Sequence, residues 1–431
     1  MTMYDVERLS NKLKKIAMGA CFLGSGGGGG LETSFKYIDK YFKRCGRGEK
    51  IQDLQITDLK DARPGQSGIV VAYMGAPQKM GDIKCPDAVC EGIKKFVKDR
   101  GIDPINYIIP AEIGPVSTIT ACLTAHRMEI PVLNLDGAGR AVPTLDLITY
   151  TTNAKASVNP TILCSEKTKK SGNRYQQITL EISDDKEPGA ASKMESLARP
   201  VLNMAEFDQS AGLVMWYFND VTKLNATNAS VKGTLTFCEK LGEAIQPKPK
   251  GKSGLPDIEN VFKDNSIYPF IKEICQGTLD SATTSTAGGF DVGIITIKGM
   301  DGNIYKIIFQ NESLILWDSS SATPMIMAPD LISYMIEDSK KRYMPYTNGD
   351  IMENGKLKKC LEGKKIVVYG VAAPAALKAS ESNMIKHKEF LCKTIAGAGP
   401  NALPKQYMSV LNALGYYGKY ESMIGATDTL A

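Results

Sequence analysis

Three side chains and one loop carry the chemistry this sequence could perform. Glu112 ends an apolar stretch and stands beside glycine and proline in Ala111-Glu112-Ile113-Gly114-Pro115, a setting for a base that activates water. Asp136 follows Val132-Leu133-Asn134-Leu135 and could orient that water, act as an acid or bind a cation. Arg140 offers a planar fork for a carboxylate or carbonyl. The loop is Gly24-Ser25-Gly26-Gly27-Gly28-Gly29-Gly30, where glycines tolerate positive φ and let backbone amides approach a bound oxygen. Gly26, Gly27, Gly28 and Gly29 are therefore candidate ligand-binding positions. Gly75, Ala76, Gly114 and Gly137, small residues at the ends of apolar runs, are the others.

Each of these residues also has a plain structural reading. A carboxylate after a strand can cap the next helix, Asp136 can stabilise the turn at Gly137, and Arg140 can simply pair with Asp136. Cys21 and Cys122 read as packing residues, and His126, among Leu123, Ala125 and Met128, as structural or surface. Asn311-Glu312 closes a strand in the second half and is a candidate wall of a cleft between the halves.

Positioning these groups takes an alternating scaffold. Val6 to Met18 reads as an amphipathic helix before the loop, and 31–44 as a helix after it, closed by Gly46-Arg47-Gly48. The loop thus sits at a helix N-terminus, where free amides favour an anionic or carbonyl oxygen of a ligand. Strands follow at Ile51–Ile56, Ile69–Met74, Tyr107–Pro110 and Val132–Leu135, with helices from Pro86 to Asp99 and over 117–128 between them. This predicts a mostly parallel sheet covered by helices, with ligands bound beyond the carboxyl ends of its strands. Beyond residue 160 the pattern changes. Gln176–Ile182 alternates as a half-solvated strand, 192–218 and 232–246 read as helical, and 247–256 is polar. Val292–Ile297 and Ile304–Phe309 form a hairpin around Asp301-Gly302, with further strands at Leu314–Trp317, Leu331–Ile336 and Ile366–Tyr369. The expected division is an α/β unit over 1–163, a β-rich, partly barrel-like unit with a helical insertion over 164–375, and a tail over 376–431 packing back on the body.

Composition narrows the function classes. The chain has 431 residues, 43% hydrophobic and 23% charged, with a net charge of +5 spread along its length. The basic clusters Lys167-Thr168-Lys169-Lys170 and Lys340-Lys341-Arg342 are short, so no nucleic-acid partner is expected. No apolar run reaches the ~20 residues of a membrane span, and residues 1–20 carry charges throughout, so no membrane partner and a cytoplasmic location are expected. Ten scattered cysteines without a Cys-x-x-Cys pair suit a reducing compartment. With only His126 and His387, a three-histidine zinc site is impossible, and a divalent cation at carboxylates is the one metal route. The glycine run contains a dinucleotide fingerprint only trivially, and no Lys-Ser or Lys-Thr follows it, so no nucleotide cofactor is expected.

Several segments together resemble the S-methyl-thiohydantoin desulfurase family, often associated with hydantoinases. They are Leu23-Gly24-Ser25-Gly26-Gly27-Gly28-Gly29, Met74-Gly75-Ala76-Pro77, Glu112-Ile113-Gly114 and Asp136-Gly137-Ala138-Gly139-Arg140-Ala141-Val142-Pro143. In the second half come Phe309-Gln310-Asn311-Glu312, Pro329-Asp330-Leu331-Ile332 and Gly415-Tyr416. The resemblance implies an α/β domain followed by a β-rich one, and hydrolytic removal of methanethiol from an S-methylated thiohydantoin. That reaction needs a base for water, a donor to the ring nitrogen and fixed dipoles for the ring carbonyl. The sequence departs from the family pattern at Asn134, usually Asp; at Thr144, usually Glu; at Gly114-Pro115-Val116, usually Gly-Gly-Asn; and in lacking a proline after the glycine run. Either the substrate differs from that of typical members or the chemistry is weakened or lost. The first expectation is a homo-oligomeric hydrolase of a small (thio)hydantoin-like ring, a small-molecule substrate being its partner. The second is a non-catalytic ligand-binding or assembly protein retaining the fold. Under the first, Asp136→Asn is expected to damage function far more than folding.

Overall fold

The structure, a computed structural model, describes residues 3–45, 52–75, 86–168, 175–187, 189–226, 228–246, 254–263, 265–287, 290–320 and 324–378. Ala76 and Pro77, the stop at Gly46–Gly48, most of the polar stretch 247–256, His387, Gly415-Tyr416 and the tail beyond Lys378 lie outside the described residues.

A seven-stranded sheet forms the first body. Its strands are β1 (Ile56–Thr57), β2 (Gly68–Gly75), β3 (Tyr107–Pro110), β4 (Val132–Leu133), β6 (Thr161–Thr168), β7 (Tyr175–Leu180) and β8 (Ser210–Phe218). Their order is β1-β4-β3-β2-β8-β6-β7. The run β1-β4-β3-β2 is parallel; β8, β6 and β7 continue the sheet antiparallel. Two short strands, β5 (Leu135–Asp136) and β9 (Val231–Lys232), pair separately. Strand β2 shows why the sheet is two-faced. Ile69, Val71 and Tyr73 join one apolar cluster with helices α1 (Met3–Leu23), α2 (Leu31–Cys45), α3 (Asp87–Arg100) and α4 (Pro115–Met128). Val70, Ala72 and Met74 join another, which includes residues around the one-turn α5 (Thr149–Thr152) and α6 (Ala190–Leu202). Helix α7 (Thr234–Ile245) packs on α1 nearly backbone to backbone. A Cβ at Gly19 would fall 2.0 Å from the Cys238 carbonyl, and one at Gly242 1.8 Å from that of Lys15.

The second body is a ten-stranded antiparallel sheet. It holds β10 (Ile271–Ala287), β11 (Phe290–Gly299), β12 (Ile304–Gln310), β13 (Glu312–Asp318), β14 (Ile326–Met327), β15 (Leu331–Glu337), β16 (Tyr343–Pro345), β17 (Met352–Glu353), β18 (Lys356–Leu357) and β19 (Lys365–Val371). The main path runs β14-β13-β12-β11-β10-β19-β15-β16. Alternate residues of β15 and β19 separate in the same way: Leu331, Met335, Val367 and Tyr369 face the α1 cluster, while Ile332, Tyr334, Ile366 and Val368 face the sheet's own core.

Four expectations change. The stretch 210–218 is a strand, not the end of a helix. Its Ser-Ala-Gly-Leu-Val-Met-Trp-Tyr-Phe run has no helical period because both faces are buried, between β2 and β6. The first sheet is consequently only half parallel. The boundary expected at 163/164 falls inside β6, and β7 and β8 belong to the first sheet. Strand 51–56 shrinks to Ile56–Thr57, an edge paired only with β4. Among the described residues no ladder joins β14 to β16, and the second sheet does not close into a barrel there.

Candidate functional site

Helix α1 runs straight into the glycine loop, which is clamped from both sides. Its carbonyls are taken first. Ser25 O accepts from Ser313 N at 2.7 Å and Gly26 O from Asn348 N at 2.7 Å, both from the second body. Gly28 O accepts from Val116 N at 2.9 Å, in the open first turn of α4. Gly28 has φ of +74°, and a Cβ there would fall 2.4 Å from the Gly114 Cα, so only glycine fits. Protein oxygens come up to the loop's amides: Leu31 N, opening α2, donates to Asp350 Oδ2 at 2.8 Å, and the Gly28 amide lies near enough to the Glu312 carboxyl group to favour its charge. A Cβ on Gly27 would stand 2.0 Å from Glu312 Oε1.

Beyond the carboxyl ends of β2 and β3 lies a solvent-open cleft with a cavity volume of about 60 Å³. Gly28, Gly29, Gly75, Glu112 and Glu312 border it together. Glu112 stands between β3 and α4. Its Oε1 accepts from Ser117 Oγ at 3.0 Å and its Oε2 from Val142 N at 2.8 Å. Burial pushes its carboxyl group up to about 7. The Asp136 charge adds to this, while the Val142 and Ser117 bonds and the Arg140 charge oppose it.

Glu312 opens β13 immediately after Asn311, which has φ of +56°. Asn311 is locked by Asp291 N, which donates to its Oδ1 at 2.9 Å, and by Asn348 Nδ2, which donates to its carbonyl at 2.9 Å. Glu312 is 3% exposed, and its Oε2 is buried without a hydrogen-bond partner. Burial holds its carboxyl group well above the usual range, and the neighbouring Glu112 pushes it further; Arg140 opposes both.

Asp136 and Arg140 lie behind this wall rather than on it. Asp136 is fully buried; its Oδ1 accepts from Ala138 N at 2.7 Å and Gly139 N at 2.6 Å, closing the turn after β5. Burial raises its carboxyl group to about 7. The Thr234 hydroxyl is near enough to favour the charge, yet Asp136 Oδ2 and Thr234 Oγ1 both fall short of a formed hydrogen bond. Arg140 is 1% exposed and turns its fork onto the second body: Nη1 donates to Pro329 O and Asp330 O, both at 2.9 Å, and Nη2 to Ser313 O at 3.2 Å. Its charge reaches Glu112 and Glu312, while its fork is held by protein carbonyls. Gly114 abuts Gly28, and Gly137 is a packing point, where a Cβ would meet Ile148 at 2.4 Å. Gly26 faces Asn348 and Ser313.

The far wall carries a pair that sequence reasoning missed. Glu195 and Arg199, four apart on α6, are ion-paired, with Arg199 Nε 3.0 Å from Glu195 Oε1. Leu145 N donates to Glu195 Oε2 at 2.8 Å, and the Arg199 guanidinium lies 3.9 Å above the Phe290 ring. The acid–base spacing on α6 was the available signal. Thr144 borders the cleft. Asn134 does not: its Nδ2 donates to Asp58 Oδ1 at 2.6 Å and its Oδ1 accepts from Thr236 N at 3.1 Å, capping α7.

Among the described residues no group of three or more His, Cys, Asp or Glu side chains is placed to hold a metal ion, and no helix is long and apolar enough to cross a membrane. The arrangement suits proton transfer: Glu112 is held at about 7, burial pushes Glu312 well above the usual carboxylate range, and the charge of Arg140 opposes both shifts.

The family model for the S-Me-THD-like N-terminal domain matches residues 11–172, and that for the S-Me-THD-like C-terminal domain matches residues 189–401. A crystal structure of a protein from Chromobacterium violaceum is similar at 26% identity and a TM-score of 0.72, over 96% of this chain and 98% of that one. Comparison with curated proteins gives no match.

Proposed function

The chain belongs to the S-Me-THD-like family, and from that membership we propose that it is a hydrolase of a small (thio)hydantoin-like ring. Activated water attacks the ring carbon that bears sulfur, and a thiol leaves. The observation that carries the reading is Glu112, whose carboxyl group is held at about 7 on the wall of a cleft at the strand ends. A base at that value is half ionised at neutral pH and strong enough to deprotonate an attacking water. Ser117 and Val142 fix its two oxygens, so the carboxylate is oriented before substrate arrives. Met74, Leu145 and Leu213 supply apolar wall for a ring. Arg140 and Asp136 serve through charge: one steadies ionised Glu112, the other raises it. Buried cysteine thiols at Cys21, Cys90, Cys122, Cys164, Cys238 and Cys275 support a cytoplasmic setting.

The second reading, a non-catalytic binder, draws support from Thr144, which puts a hydroxyl on the cleft wall where the family pattern carries a carboxylate. The deciding experiment incubates the purified protein with S-methyl thiohydantoins and with plain hydantoins, and follows released thiol with a thiol-reactive dye. Thiol release from the former supports the hydrolase. Saturable binding of these rings without release from any of them would overturn it in favour of the binder.

A further inference from the structure

We propose that Glu312 is the proton donor of this site, a carboxylic acid sharing one proton inventory with Glu112. The inference rests on the hydrolase reading for its substrate and on charge balance for its chemistry. Glu312 borders the same cleft as Glu112, and its Oε2 is buried without a partner. A buried ionised oxygen left unpaired is costly, whereas a protonated one needs only an acceptor, which a ring nitrogen provides.

The charged groups around Glu312 can be counted. Glu112 comes from the β3–α4 turn and Arg140 from the loop after β5. Across the cleft Glu195 and Arg199 neutralise one another. Asp291 stands beside Asn311 on β11, and the glycine loop contributes only the Gly28 amide and uncharged backbone. Asp136 reaches the pair through Glu112. One cation, Arg140, thus faces two buried carboxyl groups at the cleft, Glu112 and Glu312. It can balance one of them ionised, and the other is accommodated neutral. Glu112, fixed by two donors, is the ionised member. Glu312, with a bare oxygen, is the protonated one.

The reaction then balances without any further reagent. Glu112 removes a proton from water as the oxygen bonds to the carbon bearing S-methyl. The C=N electron pair moves to the ring nitrogen, which takes the proton of Glu312. In the second step the C–S bond breaks and its electron pair leaves on sulfur, which takes the proton held by Glu112. The new hydroxyl returns its proton to Glu312 as the carbonyl forms. Methanethiol and the ring carbonyl are released, and both carboxyl groups are restored.

The test compares wild type, Glu312→Gln and Glu312→Asp by infrared difference spectroscopy and by pH–rate profile. In wild type, a protonated-carboxyl stretch should persist at pH 8 and vanish in Glu312→Gln. Turnover of an S-methyl thiohydantoin should fall in Glu312→Gln on the order of 10²-fold and lose its alkaline limb. Glu312→Asp, which also serves if the Gln variant does not fold, should keep the carboxyl stretch and the alkaline limb at a reduced rate. An unchanged spectrum in folded Glu312→Gln, or an Asp variant without the carboxyl stretch, overturns the proton assignment whether or not substrate is turned over. A lost stretch with turnover intact overturns the donor role. A wild type that shows the Glu312 stretch yet releases no thiol overturns the hydrolase reading and the donor role with it, while the proton assignment stands.

Discussion

Two carboxyl groups from the second body reach the glycine loop, and they end differently. Asp350 Oδ2 collects Leu31 N, Thr347 N and Thr347 Oγ1, and the residue keeps no buried oxygen unpartnered. Glu312 has the Gly28 amide close by, yet its Oε2 stays bare beside the cleft. Both are pushed up by burial. The first contact is finished, and it ties α2 to the second body. The second is unfinished, and the unfinished contact borders the cleft. Of these two carboxyl groups, the one with an incomplete set of hydrogen bonds is the one that borders the cleft.

The contrast can be broken most directly on its open side. Glu112→Gln, at the base facing Glu312, should reduce thiol release on the order of 10³-fold, or about 4 kcal/mol of barrier, with little change in thermal unfolding. A folded Gln variant with near-normal turnover would remove the paired-carboxyl chemistry altogether.

Asp136 sharpens the contrast from behind. Its carboxyl group rises from 3.8 unfolded to about 7 folded, so the native state holds more protons between those values. Stability is therefore greatest below pH 4 for this group, falls as pH climbs towards 7, and is flat above. The span is on the order of 4 kcal/mol. Asp136→Asn should abolish that slope and be more stable than wild type at pH 8, since the amide keeps the oxygen that accepts from Ala138 and Gly139. It should also move the acid limb of activity to lower pH, because Glu112 loses a like charge. This reverses the expectation from sequence that the substitution costs function and spares the fold. Urea unfolding from pH 5 to 8 decides between them; an unchanged slope would show that Asp136 is ionised in the fold.

On the closed side, Asp350→Ala should cost about 2 kcal/mol by stripping the cap from α2 and orphaning the Thr347 hydroxyl. Activity per folded molecule should survive. Lost activity at full stability would place Asp350, not Glu312, in the chemistry.

The smallest effect is expected at Asn134. Restoring the aspartate of the family pattern sets a carboxylate against Asp58 Oδ1, now 2.6 Å from the Asn134 amide. Asn134→Asp should lose about 1 kcal/mol, recovered by a second change, Asp58→Asn, with no gain in turnover. A gain would return position 134 to the site.

Much of this was legible, for reasons that differ by element. Strands β2 and β3 announced themselves because a parallel strand buried on both faces is a continuous apolar run ended by small residues, and Glu112 followed from where β3 stops. Strand β8 carries the same signature but lies after helix α6, so its run merged with the helix. The glycine loop read as a place where a ligand's oxygen meets amides; what sequence spacing could not convey is that Asp350 and Glu312, some three hundred positions away, come up to it. Arg140 was visible as a cation and expected as a fork for substrate; its carbonyl partners, on the turn before β15 and on β13, lie too far along the chain for spacing to show.

The placement of β8 bears on how this protein could be divided. The N-terminal family match ends at residue 172, yet the strand joining β2 to β6 spans Ser210–Phe218, inside the stretch matched by the C-terminal domain. A polypeptide stopped at that seam would leave the inner flank of β2 bare and β6 with no neighbour, two adhesive borders in place of a continuous layer. Inheritance by sequence block and assembly by sheet are out of phase here. During synthesis the first layer cannot close until the ribosome has passed well into the second block, and the halves recognised by descent are not halves that can be handed to another protein.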